Sequence, residues 1–272
     1  MRGMQSSQFR QGLAGVFALC VVGCSSAHEV ATSVPKARGR EVPCAAPDAA
    51  ARVLSNEPVV RALPSAVDLR DELTRLGLPP RAQGARGTCS IFTTCEAFEF
   101  ALAKKRGVAQ RLSPEFLNWS ASQAAGAPSD GNFFHNALAG FERFGICGED
   151  ALPYGASYDA ALTPSAEALA RAAALLVESR DALSLRWIVP WQAARFGVDE
   201  AQFAEIKSVL ARGFPVAAGS GHSRLLVGYR DDANAAGGGV FLTEDSALAR
   251  FDEVTYEFVR TQVADVFWIE AR

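Results

Sequence analysis

The chain has 272 residues, 49% hydrophobic, 21% charged and 9% aromatic, the composition of an ordinary globular protein and not of a disordered or collagen-like one. Its length fits one large domain or two small ones. The formal net charge of −3, from 27 Lys and Arg against 30 Asp and Glu, leaves no basic surplus to neutralise phosphates and argues against a nucleic-acid partner.

At the N-terminus, Arg2 and Arg10 are the only charges before an apolar run from Gly12 to Val22. As a helix, that run rises only about 16 Å, too little to cross about 30 Å of hydrocarbon, and it reads as a secretion signal. Val21-Val22-Gly23-Cys24 resembles a bacterial lipobox, which implies removal of residues 1–23 and lipidation of Cys24 as the new N-terminus. The expectation is an exported cell-envelope lipoprotein, held at a membrane by its lipid anchor on the periplasmic side or in the outer membrane. Residues 24–62, rich in Ala, Pro, Arg and Val, read as a flexible tether. The remaining 63–272 are expected to form the folded domain.

Cys89–Arg106 is predicted as a helix, with Ile91, Cys95, Phe98 and Leu102 on one stripe and Gly107 ending it. Ser113 and Pro114 supply the cap and first residue of the next helix. Phe134, Leu138 and Phe141 mark a third, ended by Gly145, and segments near 165–179 and 200–212 add two more. After Gly213 come short β-branched or aromatic runs at 215–218, 225–229, 240–243, 254–259 and 263–269, predicted as strands. Helices followed by strands indicate an α+β fold, with an N-terminal helical lobe packed on a C-terminal antiparallel β lobe.

Six Cys stand at 20, 24, 44, 89, 95 and 147, too few in a chain of this length for a disulfide scaffold. No pair has CxxC spacing and His occurs only at 28, 135 and 222, so no metal site is expected. Cys89 follows a Gly-rich stretch, Gln83-Gly84-Ala85-Arg86-Gly87-Thr88, and falls on the first turn of its helix. There the positive end of the helix dipole and unpaired backbone N–H groups favour the nucleophilic thiolate. Cys95, six residues on, faces about 240° away on the buried stripe and is expected to be structural. Cys44, Cys95 and Cys147 give no derivable pairing.

His222, at the start of the run His222–Tyr229, is placed to act as the acid that protonates a leaving amine. Asp245, on the following strand, is the candidate that orients its imidazole. Glu244 is the alternative partner, but strand alternation puts the two on opposite faces, so only one can serve. His135 is expected at the surface or partly buried, not as a second catalytic His.

These residues resemble the papain-like cysteine peptidases, and in particular a bacterial branch of them. His222 and Asp245 lie 133 and 156 residues after Cys89, against about 130–150 for the family's His and Asn. Gln83 stands six residues before Cys89, where the family has its oxyanion-hole Gln, and Phe92 matches an aromatic three residues after the nucleophile. Leu63–Arg70, Leu112–Trp119 and Gly145–Tyr154 extend the likeness. The resemblance implies the papain-like fold over 63–272 and hydrolysis of peptide or protein substrates by a monomer without cofactor. In it Cys89 attacks, His222 carries the proton, Asp245 orients it, and Gln83 with the Cys89 N–H binds the oxyanion.

The sequence also departs from that family. Asp245 replaces the orienting Asn, and Ser246-Ala247-Leu248 lacks the Trp that normally shields the His pair, so a wetter and weaker pair is expected. Ser90 replaces the Trp that commonly follows the nucleophile. The segment from Val216 to His222 is short, which predicts loss of part of the cleft wall, and 25–62 is too short for the usual inhibitory propeptide. Two alternatives from other classes are a catalytically decayed papain-fold binding lipoprotein and a thiol amidase acting on cell-wall peptides. The amidases usually lack a Gln at the position of Gln83.

Overall fold

The computed structural model describes residues 62–193 and 195–272. The signal segment 1–23, the lipidation candidate Cys24, almost all of the tether and Cys44 lie outside the described residues. In the described part, strand β1 (Ala66–Asp68) and helix α1 (Arg70–Arg75) precede four longer helices, α2 (Cys89–Arg106), α3 (Pro114–Ala125), α4 (Phe134–Phe144) and α5 (Ala166–Ala182). Then come β2 (Leu183–Val189), α6 (Glu200–Ala211), β3 (Val216–Gly219), β4 (Arg224–Asp231), β5 (Gly239–Asp245), β6 (Arg250–Thr255), α7 (Tyr256–Gln262) and β7 (Asp265–Ala271).

Helix α2 spans the interval predicted for it. It ends where Gly107 takes a left-handed φ of 73° and returns its N–H to the Ala103 carbonyl, and Lys104, Lys105 and Arg106 offset the negative end of its dipole. Its surroundings are less simple than one apolar stripe. Residues 90–103 are buried without interruption, so the helix is walled in on all sides, and Glu96 and Glu99 are buried with the rest. Ser113 caps α3 by accepting from the Phe116 N–H at 2.9 Å, with Pro114 at the first helical position. At Gly140 of α4 a Cβ would lie 2.6–2.7 Å from the backbone of Ser120 and Ala121, so the absent side chain lets α3 and α4 approach.

The sheet is antiparallel throughout, in the order β2-β7-β3-β4-β5-β6. One edge of β4 is shared: β3 pairs with residues 224–226 and β1 with residues 228–230. Helix α2 packs across β3, β4 and β7, which puts its N-terminus beside the β3–β4 connection. Among the described residues no helix is long and apolar enough to cross a membrane.

Three features correct the predicted elements. Residues 254–259 are not one strand: β6 stops at Thr255, whose hydroxyl accepts from the Phe258 N–H at 3.1 Å and starts α7. A local cap there outweighs a β-prone composition. Strand β2, which pairs with β7 along residues 183–189, lies between two helices, so helices and strands do not segregate strictly along the chain. The short β1 and α1 were likewise not foreseen.

Candidate active site

Cys89 opens α2, after Thr88, which offers no side-chain cap, so the first-turn N–H groups stay available near the sulfur. The loop before it is held from several directions. Arg86, buried, donates to Glu115 Oε2 at 2.5 Å, to Asp130 Oδ1 at 2.9 Å and to the Gly155 carbonyl at 2.9 Å, and its guanidinium lies 4.4 Å from the centre of the Tyr154 ring. Tyr154 Oη is 2.6 Å from Thr88 Oγ1 and donates to the Gln83 carbonyl at 2.9 Å. The Gly145–Tyr154 segment thus ties down the loop that carries the thiol. Phe92 packs edge-on against the same Tyr154 ring at 4.8 Å.

Gln83 is buried and fixed at both ends of its amide. Nε2 donates to the Arg86 carbonyl at 2.8 Å, and Oε1 accepts from Ser246 Oγ at 2.7 Å. A primary amide has two N–H groups, so one remains for another acceptor.

His222 lies in the short β3–β4 connection, and the sheet register explains its partner. Leu225 pairs with Glu244 across β4 and β5, which puts Arg224 opposite Asp245 at the open end of that hairpin, two residues after His222. His222 Nε2 meets Asp245 Oδ1 at 2.8 Å, and Oδ1 also accepts from the backbone N–H groups of Ala247 at 2.9 Å and Leu248 at 3.3 Å. Arg224 Nε donates to Asp245 Oδ2 at 2.9 Å, while its Nη1 reaches the His222 carbonyl at 3.3 Å. The expectation of a wet, weak pair holds for one partner only: the His222 side chain keeps 24% exposure, while Asp245 is 1% exposed and is held by Arg224 and the 247–248 backbone.

With Nε2 committed to Asp245, Nδ1 of His222 is the nitrogen left for Cys89. The electrostatics follow from these contacts. Burial pushes the Cys89 thiol up, but the hydrogen bond with His222, the Ser223 backbone and the imidazolium charge outweigh it, and its pKa falls below the ordinary value. His222 is raised, first by its hydrogen bond with Cys89, against desolvation, and then by Asp245. Burial alone would raise Asp245, yet the His222 hydrogen bond and the charges of His222 and Arg224 leave it lowered. The two shifts favour thiolate and imidazolium together. The other described thiols behave oppositely: Cys95 is fully buried and raised well above its ordinary value, and burial pushes Cys147 up to about 11.

A cavity of about 400 Å³ adjoins Cys89, lined in part by Asn132, Phe133, Phe134, Gly219 and Ser220. The β3–β4 connection is as short as its sequence implied. The wall includes Trp191, Gln192 and Phe196 from the β2–α6 connection, residues that the sequence did not single out. His135, near the start of α4, stacks on Phe133 at 5.6 Å and lies 5.2 Å from Trp191, at the rim and away from the thiol's partners. Among the described residues no three His, Cys, Asp or Glu side chains converge as a metal ion would need.

No protein-family model matches the chain, and no curated protein matches it in sequence. Solved structures do match in shape. Digestive procathepsin L 3 from the larval midgut of Tenebrio molitor superposes with a TM-score of 0.57 at 18% identity, over 78% of this chain and 71% of that one. Xylellain, a cysteine protease from Xylella fastidiosa, gives 0.59 at 17% identity over 78% and 87%. The proform of the ragweed pollen cysteine protease Amb a 11 gives 0.53 at 16% identity over 79% and 67%. The chain has the papain-like cysteine protease fold. Within that fold the sequence-predicted Cys89, His222 and Asp245 converge, and Gln83 is anchored to the same loop through Arg86 and to the Asp245 segment through Ser246. Arg224, Ser246, Arg86 and Tyr154 were missed. Only the strand register could have found Arg224, because it requires knowing that Leu225 pairs with Glu244.

Proposed function

We propose that the chain is a cysteine peptidase that hydrolyses peptide bonds through a Cys89–His222 thiolate–imidazolium pair. The observation that carries this reading is the placement of His222 between the α2 N-terminal thiol and a buried, fully bonded Asp245. In this mechanism Cys89 Sγ adds to the carbonyl carbon of the scissile bond. The Cys89 N–H and the free N–H of Gln83 Nε2 hold the oxyanion. His222 Nδ1–H protonates the leaving amine, giving a thioester on Cys89. Water, deprotonated by the now neutral His222, then releases the acid and regenerates the thiol. Asp245 holds the imidazole in the required tautomer, as the carboxylate of a serine-protease triad does. The lipobox-like Val21–Cys24 run supports export and lipid anchoring at Cys24, so the substrates would be peptides or proteins of the cell envelope.

The test is the rate of alkylation of each Cys against pH, mapped by mass spectrometry in wild type and His222→Ala, together with peptide hydrolysis by Cys89→Ala. The expected result is modification of Cys89 well below the free-thiol pKa of about 8.5, lost in His222→Ala, with Cys95 and Cys147 inert and Cys89→Ala inactive. Modification that rises only near pH 8.5 and ignores His222 would overturn the peptidase reading in favour of a binding module.

A further inference from the structure

The cavity beside Cys89 holds a charged group for which the hydrolytic chemistry has no use. Asp265, the first residue of β7, lines the cavity together with Phe134 and Gly219 and is 5% exposed. Among the described residues no side chain or backbone N–H donates to its carboxylate. Burial is the single cause that pushes it up to about 6, with no neighbouring charge to offset it. Its position is built into the sheet: Gly219 pairs with Asp265 across β3 and β7, and a Cβ at Gly219 would collide with Asp265 Oδ1. Around this carboxylate the cavity is aromatic, with Phe134 buried and Phe133, Trp191 and Phe196 exposed. Arg195, the cation on the described lining, is exposed and makes no ion pair with Asp265.

A carboxylate buried without a partner is costly, and the cost is recovered when a ligand brings a cation to it. Flat aromatic walls suit both the aliphatic stem of a long basic side chain and the face of a guanidinium. A branched apolar side chain would fill the cavity but leave the carboxylate desolvated and unpaired. An acidic one would set two carboxylates together.

We propose that this cavity is a subsite for a basic side chain, Arg or Lys, of the peptide substrate, and that Asp265 selects it. The inference rests on Cys89 being the peptide-directed nucleophile, and its test separates the two claims.

The full chain would be treated with short peptidyl chloromethyl ketones that carry Arg, Lys, norleucine or Glu at each of the three positions nearest the warhead. Cys89 displaces chloride, and the labelling rate at low reagent concentration is read by mass spectrometry. Iodoacetamide, which carries no side chain, reports the thiol alone. At one position Arg or Lys is expected to exceed norleucine by about 10- to 100-fold, the range of a charge-assisted hydrogen bond, with Glu slowest. Asp265→Asn should abolish that preference by slowing Arg and Lys labelling relative to norleucine, while iodoacetamide labelling, which needs no subsite, stays unchanged. Gly219→Ala, which displaces the carboxylate, should weaken it.

Equal labelling by Arg and norleucine reagents, or an Arg preference that survives in Asp265→Asn, would overturn the subsite with the thiol reading intact. Should iodoacetamide show no activated thiol, the subsite is decided by binding of Arg- and norleucine-containing tripeptide amides to Cys89→Ala with and without Asp265→Asn. An Asp265-dependent preference for Arg would then sustain the subsite, and its absence would remove it.

Discussion

Two neighbouring carboxyl groups on β5 meet opposite fates. Asp245 faces the β3–β4 connection and is bonded on both oxygens, to His222, Arg224 and two backbone N–H groups. Glu244, one residue earlier, points to the other side of the sheet, where among the described residues neither of its oxygens finds a partner; the oxygens of Glu96 on α2 likewise find none there. Asp245 and Glu244 are both 1% exposed, but Glu244 lies deeper in the protein and is raised first by that burial, whereas Asp245, less deeply set, is also surrounded by donors. Asp245 is lowered, while Glu244 and Glu96 are raised, each first by burial, with the Glu96 charge adding to the effect on Glu244. Glu99, three residues after Glu96, shows the bonded case on the same helix, taking Arg81 and Arg111 at 2.8 Å each and the Leu112 N–H at 2.7 Å. The chain has placed donors around the one acid that touches His222.

The comparison breaks most visibly in turnover. His222→Ala removes the proton donor and is expected to cost about 10²–10⁴ in kcat/KM for peptide hydrolysis. Asp245→Ala leaves the imidazole but loses its orientation, so its loss should be smaller yet clear. Glu244→Gln, on the far face, should leave kcat/KM within a few-fold of wild type. If Glu244→Gln cost as much as Asp245→Ala, the division of roles between the two faces would fail.

A sharper version concerns Arg224. Asp245 stands where papain-like enzymes resembling this chain carry a neutral Asn, and Arg224 brings the Asp245 pair back to neutrality by bonding the oxygen that His222 does not use. Arg224→Gln exposes His222 to the full charge of Asp245. Because that charge stabilises the imidazolium, the alkaline limb of the kcat/KM profile should move to higher pH. The charged or titratable groups against His222 are Cys89 from α2, Asp245 from β5 and Arg224 from β4. Asp245→Asn alone strands the guanidinium. The double variant Arg224→Gln/Asp245→Asn should therefore be more active than the two single losses multiplied, by a coupling of about 0.5–3 kcal/mol in a double-mutant cycle of kcat/KM. Strict multiplication would show that Arg224 serves only the fold.

How far the sequence discloses this site depends on whether each residue acts through local or distant neighbours. The nucleophile's helix, its Gly107 stop and the Ser113 cap are local and were legible. So was the alternation argument that only one of Asp245 and Glu244 can serve His222, although which of the two does depends on the pairing of β4 with β5. Arg224, Ser246 and Asp265 were not legible, because their meaning comes from strand pairings and a helix end that meet only in three dimensions. Thr255 misled in the opposite sense: it sits in a β-prone run, yet its hydroxyl was better used as a cap. Glu96 and Glu99 lie off the predicted apolar stripe of α2. They are buried because α2 lies between the sheet and the other helices, which no periodicity within the helix reports.

Glu96 supplies the last and gentlest way to test the comparison, since it alters stability and leaves the reacting groups in place. Its carboxyl is raised from the ordinary 4.5 in the folded chain, chiefly by burial, against the attraction of Arg81. A raised folded-state pKa means that the native state holds a proton that the unfolded state releases. The stabilisation is thus complete below about pH 4.5 and is lost as pH rises through the folded value, by at most about 1.4 kcal/mol per pH unit for one proton. Glu96→Gln is neutral at every pH and nearly the same shape, so it should escape that loss. Its Tm should match wild type near pH 5 and exceed it increasingly towards pH 9, with Glu244→Gln behaving alike. A constant Tm difference across that range would mean that Glu96 finds donors in solution, as Asp245 does, and the contrast between the two faces of β5 would then be one of position alone.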